Sequence, residues 1–362
     1  AKLEPKNAEI YLLTGDAYLE NNNDGSNAIK NYEKAAEIDK SSVQAILRMG
    51  QLYGRARNYN LALDYYKRAA LIDSSFAPAY REQGELYYMA KQYNVAKAKY
   101  KRFLELSSNN LDARTRYASF LFLSKEYANA ITEIIEIQKL DTSSNILNRL
   151  LAYSYYETGD FANGLSKSKT FFNRATNEKT KVLAQDYEYN GKLLIKTGND
   201  SIGIEKLNKA IDMDTAKADL YSEIASSYMK QKKYALAISN YQKKITLGKP
   251  NANDYFGMGR AYYFSKDFVN ADSAFAQIIK SNPTLPLGYL WRAKSNTQLD
   301  ASNEKGLAKP YYEQFVSMVK PEELEKNKKD LIEAYSYLGF QAMKLKDTST
   351  AKQHWQKVLE LE

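Results

Sequence analysis

The chain has 362 residues, of which 44% are hydrophobic and 13% aromatic, so its composition excludes a disordered chain. Lysine and arginine exceed aspartate and glutamate by 52 − 43 = 9, and no run of five or more like charges occurs, which indicates a solvated surface of mixed charge. The absence of cysteine excludes disulfides and thiolate metal sites, and no stretch of 18 apolar residues predicts a transmembrane helix.

The chain begins with two predicted helices over about residues 8–40. Small and aromatic residues recur at the spacing that places them on one helical face. The first helix carries Tyr11, Gly15 and Tyr18, and the second carries Ala28, Tyr32 and Ala35. The polar run 21–26 predicts a turn. Residues 1–5 end in Pro5 and match the tail of a further repeat, so we expect the natural protein to continue upstream.

The same pattern is clearest between residues 43 and 108, where one 34-residue repeat occurs twice. The first copy contains Ile46, Gly50, Tyr53, Ala62, Tyr66, Ala69 and Ser74. The positions 34 residues later hold Tyr80, Gly84, Tyr87, Ala96, Tyr100, Phe103 and Ser108. Small residues therefore recur where two helices must touch, and aromatic residues recur where a gap must be filled.

Two further repeats follow, and then the register slips. The small residue of the second helix falls at 28, 62, 96, 130 and 164, an unbroken period of 34. The next first helix has its small residue at Gly191, five residues later than the period predicts. We expect a joint between residues 172 and 186, around 173–178, with longer flanking helices.

The period returns in repeats six to nine. Their first helices open with Tyr187, Tyr221, Tyr255 and Tyr289, and their small residues are Gly191, Ala225, Gly259 and Ala293. Repeat nine has an expanded turn over 301–306, and Pro321 is expected to end its second helix. The tenth repeat contains Gly339, Ala351 and Trp355, and we expect Trp355 to cover the end of the stack.

This order of bulky, small and aromatic residues, followed by alanine, aromatic and alanine in a second helix, resembles the tetratricopeptide repeat (TPR). The resemblance implies an all-α fold, a right-handed α-α superhelix (solenoid) of about ten helix-turn-helix repeats, whose stacking completes the core. We expect three blocks. Residues 1–175 hold repeats one to five after the tail of an earlier repeat, residues 176–316 hold repeats six to nine, and residues 317–362 hold an extended connection and the C-terminal repeat.

Catalytic and metal-binding patterns are scarce. The single histidine, His354, is placed by the repeat on the outside, and we interpret it as a surface residue. Nucleophile–histidine pairs and histidine-rich metal sites are impossible elsewhere in the chain, and no glycine-rich phosphate-binding motif occurs. We therefore predict a protein that is not an enzyme and that uses no cofactor and no metal.

The resemblance implies that the first helix of each repeat lines a concave groove, which binds an extended peptide or a partner protein. Arginines interleaved with aromatic residues occupy the inward-facing positions, a mixture that suits carboxylates and apolar side chains. The candidate partner-binding residues are Arg48, Gln51, Arg55, Arg81, Tyr88, Arg116, Phe122, Arg149, Tyr153 and Tyr156. The alternative for each tyrosine is a place in the core at a helix crossing.

Some members of the family bind C-terminal carboxylates through a clamp of lysine, asparagine and arginine that spans three repeats. The corresponding positions hold Leu12 and Asp16 in repeat one, and Pro78 and Glu82 in repeat three. We therefore do not expect that mode of binding.

The leading hypothesis is a non-catalytic scaffold for a protein or peptide. The isoelectric point near 9.1 leaves nucleic-acid binding as an alternative, which Glu82, Glu85 and Glu157 on the same face disfavour. A third hypothesis is an envelope-associated adaptor that handles carbohydrate or lipid through its aromatic residues. The Asn/Lys/Tyr-rich composition is typical of exported bacterial proteins, so we expect a periplasmic or cell-envelope location, with the cytoplasm as the alternative.

Overall fold

Pairs of helices that follow one another along the chain build the protein, as a computed structural model shows. It describes residues 6–107, 110–177, 180–247 and 250–362, and within these ranges it contains twenty α-helices and no strand. The prediction of an all-α fold of paired helices is confirmed. The predictions made for residues 1–5, Ser108 and Glu178 fall outside the described residues. None of the described helices combines the length and the apolar character needed to cross a membrane.

The chain divides into two compact units, Ala1–Val182 (unit 1) and Leu183–Glu362 (unit 2). Unit 1 contains five helix pairs, α1 (Ala8–Asn22) and α2 (Gly25–Ile38), α3 (Val43–Arg55) and α4 (Tyr59–Ile72), α5 (Ala77–Met89) and α6 (Tyr93–Leu106), α7 (Leu111–Leu123) and α8 (Tyr127–Leu140), α9 (Asn145–Thr158) and α10 (Phe161–Asn177). Helix α10 has 17 residues against 14 in α4, so part of the extra length before Gly191 extends a helix. Helix α11 keeps the 13 residues of α3, so only one of the two flanking helices predicted to be longer is so.

Unit 2 also contains five pairs, α11 (Ala184–Lys196) and α12 (Asp200–Met213), α13 (Leu220–Lys230) and α14 (Tyr234–Leu247), α15 (Ala252–Phe264) and α16 (Phe268–Ser281), α17 (Pro286–Leu299) and α18 (Lys309–Met318), α19 (Leu324–Lys344) and α20 (Thr348–Leu361). Helix α18 ends before Pro321, which opens a 3₁₀ turn that leads into α19. Trp355 lies against Gly339 at the crossing of α19 and α20, where a Cβ on the glycine would be 2.5 Å from the indole nitrogen.

The turn inside a pair is short in every repeat except the ninth, where residues 300–308 join α17 to α18 and confirm the predicted expanded turn. Hydrogen bonds at the helix ends form the short turns, as the second repeat shows. After α3, Arg57 adopts a left-handed conformation with φ of 60°, and its N–H donates to Gly54 O at 3.0 Å. Before α4, the Asn58 side chain accepts a hydrogen bond from the Leu61 N–H. In repeat one Asp24 caps α2 in the same way, so the turn predicted over 21–26 shrinks to residues 23 and 24.

The core follows the small and aromatic positions of the repeat. At the α3–α4 crossing, a Cβ on Gly50 would lie 2.6 Å from the ring of Tyr66, which is 3% exposed. One buried cluster joins Tyr32, Ile46 and Ala79, which belong to three successive repeats. Each helix therefore completes its core with residues of its neighbours, and a buried aromatic ring contributes about 2–3 kcal/mol.

Candidate functional site

The first helices of repeats one to four in unit 1 are joined by a ladder of polar contacts. In each contact, one residue directly follows the small residue of a first helix. The other residue lies two positions before the small residue of the next first helix. The contacts are Asp16 Oδ1 to Arg48 Nε at 3.0 Å, Gln51 Nε2 to Glu82 Oε1 at 3.3 Å, and Arg116 to Glu85 through two bonds of 3.0 and 2.6 Å. These six residues form the polar ladder.

Second-helix tyrosines hold the carboxylates of the polar ladder in place. The hydroxyl of Tyr32 donates to Asp16 Oδ1 at 2.7 Å, and the hydroxyl of Tyr100 donates to Glu85. Burial, and then the hydrogen bond to a carboxylate, raise the pKa of both tyrosines, so both stay protonated donors at neutral pH. The carboxylates are thus oriented from the core side toward the arginine of the next repeat.

The four arginines that the sequence placed at repeated groove positions all have partners within unit 1. Arg48 and Arg116 belong to the polar ladder, and Arg116 also lies over the ring of Tyr88, at 4.2 Å from its centroid. Arg81 pairs with the adjacent Glu82 at 2.7 Å. Arg149 donates to the backbone oxygen of Lys181 at 2.6 Å and lies 4.7 Å from the ring centroid of Phe171, outside the ladder.

Arg55 differs from those four arginines. Its side chain is exposed, and no hydrogen bond or ion pair links it to another described residue. It lines an open cavity of about 380 Å³ at the end of the face formed by α1 and α3. Arg48 and Gln51 line the same cavity, so the structure brings three candidate residues together there.

The candidate aromatic residues form a row of ring contacts along repeats three to five. Tyr88 lies 5.5 Å from Phe120, Phe122 lies 5.5 Å from Tyr127 and 5.7 Å from Tyr153, and Tyr156 lies 5.7 Å from Phe161. Tyr153 is only 4% exposed, so it packs in the interior. Tyr88, Phe122 and Tyr156 are half-buried and present part of each ring to solvent.

Unit 2 uses the ladder positions differently. At its start Lys192 bonds Glu223 of the next repeat at 3.1 Å, and Glu188 on its own helix at 2.8 Å. The next two ladder positions hold Ser226 and Gly257, which carry no charge. The carboxylate partners of Arg48 and Arg116 were not predicted, although the separations of 32 and 31 residues between the opposite charges are visible in the sequence.

No group of three or more side chains suited to a metal ion occurs in the described part of the chain. His354 is half-buried, and its ring lies 6.0 Å from that of Tyr335. Burial lowers the pKa of His354, so the imidazole is neutral at pH 7.

Family models and solved structures of known proteins are similar to this chain. Family models of the tetratricopeptide repeat match residues 8–42, 43–76 and 255–284. The C-terminal part of a TPR repeat-containing protein from Cytophaga hutchinsonii, a solved structure, is 34% identical with a TM-score of 0.62. The match covers 68% of this chain and 95% of that one.

Two other solved structures are similar at lower identity. A tetratricopeptide repeat protein from Parabacteroides merdae is 13% identical with a TM-score of 0.46, and the match covers 70% of this chain and 98% of that one. YrrB, described as a TPR protein with an unusual peptide-binding site, is 21% identical with a TM-score of 0.44, over 51% of this chain and 92% of its own. No curated protein sequence matches the chain.

Proposed function

Because the chain belongs to the tetratricopeptide repeat family, whose helical arrays act as protein–protein interaction scaffolds, we propose that unit 1 binds an extended segment of a partner protein along its first-helix face. The first-helix face is the surface made by α1, α3, α5, α7 and α9. In this proposal the chain brings proteins together and catalyses no reaction.

The cavity beside Arg55 carries this proposal. Leu19 and Leu52 supply apolar surface in it, and the guanidinium of Arg55 lines it without an ion pair or hydrogen bond of its own. Two acids also line the cavity: Asp16, which is paired with Arg48, and the exposed Glu20. A charged fork beside apolar surface suits a peptide that carries an acidic side chain next to a hydrophobic one. The polar ladder holds the neighbouring helices in register, so the cavity is formed before a partner arrives.

The same face continues with apolar groups. Met89 occupies the position in α5 that Arg55 occupies in α3, and its side chain is 55% exposed. The half-buried rings of Tyr88 and Phe122 follow it along the face. An extended segment crossing successive repeats would therefore meet a charged end, with Arg55 and Glu20, and then a more apolar stretch.

A polyanion such as nucleic acid fits this face less well. The arginines of the polar ladder are already neutralised by Asp16 and Glu85, and Glu82 adds a further negative charge. Binding to a phosphate backbone depends on cations that are free to displace counterions. The described part of this face leaves few such cations.

The proposal is tested by photo-crosslinking from defined positions. Benzoylphenylalanine replaces Met89 on the first-helix face in one variant of the full chain, and Leu71, which is 84% exposed on α4, in a matched variant. In lysate of the native host, we expect one protein to crosslink from position 89 and not from position 71. Equal yields from both positions would contradict binding on the first-helix face.

The captured protein is then purified, and its affinity is measured against two charge reversals. Arg55→Glu removes the free guanidinium, whereas Lys67→Glu makes the same change of net charge on an exposed residue of α4. We expect Arg55→Glu to weaken binding about tenfold and Lys67→Glu to leave it within a factor of two. Equal losses would indicate long-range electrostatic attraction and not recognition at the cavity.

A further inference from the structure

One crossing in unit 2 lacks the carboxylate that repeats one and three of unit 1 supply at the same place, Asp16 and Glu85. In repeat three the hydroxyl of Tyr100 donates to Glu85, which in turn binds an arginine of the next repeat. The equivalent residues in repeat seven are Tyr241 and Ser226, whose hydroxyl oxygens lie 3.3 Å apart. The position of the partner arginine is taken by Gly257. The tyrosine of repeat seven therefore has no acid to bind.

The absence of a carboxylate and of an arginine side chain at these two positions leaves open space. A Cβ on Gly257 would lie 2.3 Å from the hydroxyl oxygen of Tyr241, so only glycine lets this hydroxyl approach the helix so closely. A cavity of about 480 Å³ opens at this point, and Ser226, Tyr241 and Gly257 line it. Its volume lies in the range of sites that take a small ligand or a few side chains.

Arg260 projects a charge toward this cavity without a counter-charge. Its guanidinium carbon lies 5.7 Å from the ring centroid of Phe256, 5.5 Å from that of Phe264 and 5.8 Å from that of Trp291. Its Nε is buried and has no hydrogen-bond partner, and no ion pair joins Arg260 to any described carboxylate. A guanidinium held among aromatic rings without a counter-charge is costly, so the site favours an anion from outside.

The other charged residues that line the cavity are also cationic. Lys230 and Lys232 stand exposed at the edge of the cavity, and none of its lining residues is acidic. Asp254 contributes to the electrostatic surroundings of Tyr241, but it is buried. It accepts a hydrogen bond from Ser222 Oγ at 2.6 Å and another from Asn251 N at 2.9 Å. The nearby acid is therefore engaged elsewhere and is not the counter-charge of Arg260.

The remaining wall is apolar. Met229 and Tyr234 are half-buried, and Phe264 is 42% exposed, with its ring 6.0 Å from that of Tyr234. These groups could cover a hydrophobic side chain adjacent to a bound carboxylate. A single guanidinium flanked by hydroxyls and aromatic surface matches a planar carboxylate on a peptide.

We propose that this cavity of unit 2, the Arg260 pocket, binds a carboxylate of an acidic segment of a partner protein. The carboxylate accepts hydrogen bonds from Arg260 and from the hydroxyls of Tyr241 and Ser226. It thereby takes the place that Glu85 fills in unit 1. The Arg260 pocket lies in a different unit from the first-helix face proposed above, so either proposal can fail while the other stands.

The test follows the indole N–H signals of the full-length protein by NMR. The chain has two tryptophans, so Trp291 reports on the Arg260 pocket and Trp355 serves as an internal control. The probes are acetyl-Phe-Glu-Ala amide, its neutral analogue acetyl-Phe-Gln-Ala amide, and acetyl-Phe-Ala with a free C-terminus. We expect the glutamate probe to shift the Trp291 signal saturably at millimolar concentration and the glutamine probe to bind about tenfold more weakly.

The two acidic probes distinguish the sources of the carboxylate. Tighter binding of the amidated glutamate probe identifies a side-chain carboxylate as the ligand, and tighter binding of acetyl-Phe-Ala identifies a chain terminus. Both results support the proposal. Equal binding of the glutamate and glutamine probes overturns it, as does a Trp291 signal that no peptide shifts at up to about 10 mM, whether or not inorganic phosphate shifts it.

Three variants locate the binding. Arg260→Gln removes the guanidinium. Lys266→Gln is the matched control, because Lys266 is exposed in the turn between α15 and α16 and does not line the cavity. Ser226→Asp introduces the residue that repeat one carries at this position, Asp16, and supplies an internal carboxylate. We expect Arg260→Gln and Ser226→Asp each to weaken the glutamate probe about tenfold, with Lys266→Gln unchanged.

Ser226→Asp keeps the proposal testable even if Arg260→Gln fails to fold, because it retains the arginine. A folded Ser226→Asp protein, judged by its thermal melt, that still binds the glutamate probe with wild-type affinity would overturn the proposal. Loss of binding in Lys266→Gln equal to that in Arg260→Gln would overturn it as well, because the effect would then be one of net charge.

Discussion

The first-helix positions of the two units carry similar cations in different surroundings. In unit 1, Arg116 donates two hydrogen bonds to Glu85, a residue of the preceding repeat. In unit 2, Arg260 lies among aromatic rings, and the ladder positions of the preceding crossing hold Ser226 and Gly257. An arginine on this face is therefore not a binding residue by its type alone. Whether it can bind a partner depends on whether the neighbouring repeat supplies a carboxylate opposite it.

The helix crossing of repeat six in unit 2 also differs from that of repeat two in unit 1. In repeat two, Gly50 meets the ring of Tyr66, a side chain that can shift. In repeat six, Gly191 and Gly203 face each other, and a Cβ on either would lie 2.8 Å from the backbone oxygen of the other. The same repeat position thus tolerates different residues, because one crossing packs against a side chain and the other against backbone.

The largest expected effect tests what the units share. Ala62 of unit 1 and Ala237 of unit 2 occupy the same repeat position and are both 0% exposed. We expect Ala62→Asp and Ala237→Asp each to lower the free energy of unfolding by about 4 kcal/mol, because each buries an unpaired charge at a helix crossing.

The measurement is chemical denaturation of the full chain. Leu71→Asp on α4 is the control, because Leu71 is 84% exposed and its replacement should change the free energy of unfolding by no more than about 0.5 kcal/mol. A loss in unit 2 much smaller than that in unit 1 would mean that the two units do not share one packing register.

A second prediction contrasts the two kinds of crossing. We expect Gly191→Ala to destabilise by about 2 kcal/mol, since the new methyl group meets the backbone oxygen of Gly203, which cannot move alone. Gly50→Ala should cost less, because the Tyr66 ring can tilt and alanine favours the helix by about 1 kcal/mol. Thermal melts of the two variants decide the order, and a greater loss for Gly50→Ala would reverse the comparison.

A third prediction concerns the ionic group at the start of unit 2. Burial raises the pKa of Glu188, but hydrogen bonds from Lys192 and Lys217 outweigh it, so the net pKa is below the usual value. The folded state therefore holds the proton less readily than the unfolded state. The stabilisation by Glu188 is present above its ordinary pKa of about 4.5 and is lost as the pH falls below that value.

We therefore expect Glu188→Gln to destabilise by about 1.5 kcal/mol at pH 7 and the difference from wild type to shrink toward pH 4. Denaturation at several pH values measures the difference. Glu205→Gln is the control, because the side chain of Glu205 is 70% exposed and its replacement should have little effect at any pH. A difference that stayed constant down to pH 4 would show that the charge of Glu188 is not responsible.

The smallest expected effect concerns the comparison of Arg116 in unit 1 with Arg260 in unit 2. Arg116→Gln should cost about 1 kcal/mol, because it leaves the half-exposed carboxylate of Glu85 without its charged partner. Arg260→Gln should cost less, because only contacts with aromatic rings are lost. Raising the salt concentration should reduce the loss in Arg116→Gln. A larger loss for Arg260→Gln would assign Arg260 a structural role and remove the contrast.

The fold was largely predictable from the sequence. The period of 34, with small residues such as Gly50 and Ala62, predicted the helix pairs and the crossings between them, and Pro321 predicted the end of α18. Boundaries were less predictable, since the turn over 21–26 shortened to residues 23 and 24 when Asp24 capped α2. Such capping depends on a few hydrogen bonds and not on the apolar pattern that marks a helix.

The candidate site was predictable only as a list of residues on one face. The repeat gave Arg48, Arg81 and Arg116 as candidates on this face, but it did not predict that each has a carboxylate partner. It assigned Tyr153 to the groove and left the core as an alternative for each tyrosine, and the side chain is 4% exposed. The Arg260 pocket was not predicted, because the sequence shows which residues are present and not which partner is missing.

By itself, the sequence determined the helix pairs, their number and the residues at each crossing, because these follow from the spacing of small and apolar residues along the chain. Only the tertiary structure decided which charges are neutralised. The contacts that neutralise them join residues about 30 positions apart, and their geometry depends on how neighbouring helices pack. The difference between Arg116, which has a carboxylate partner, and Arg260, which has none, is therefore one that only the tertiary structure decided.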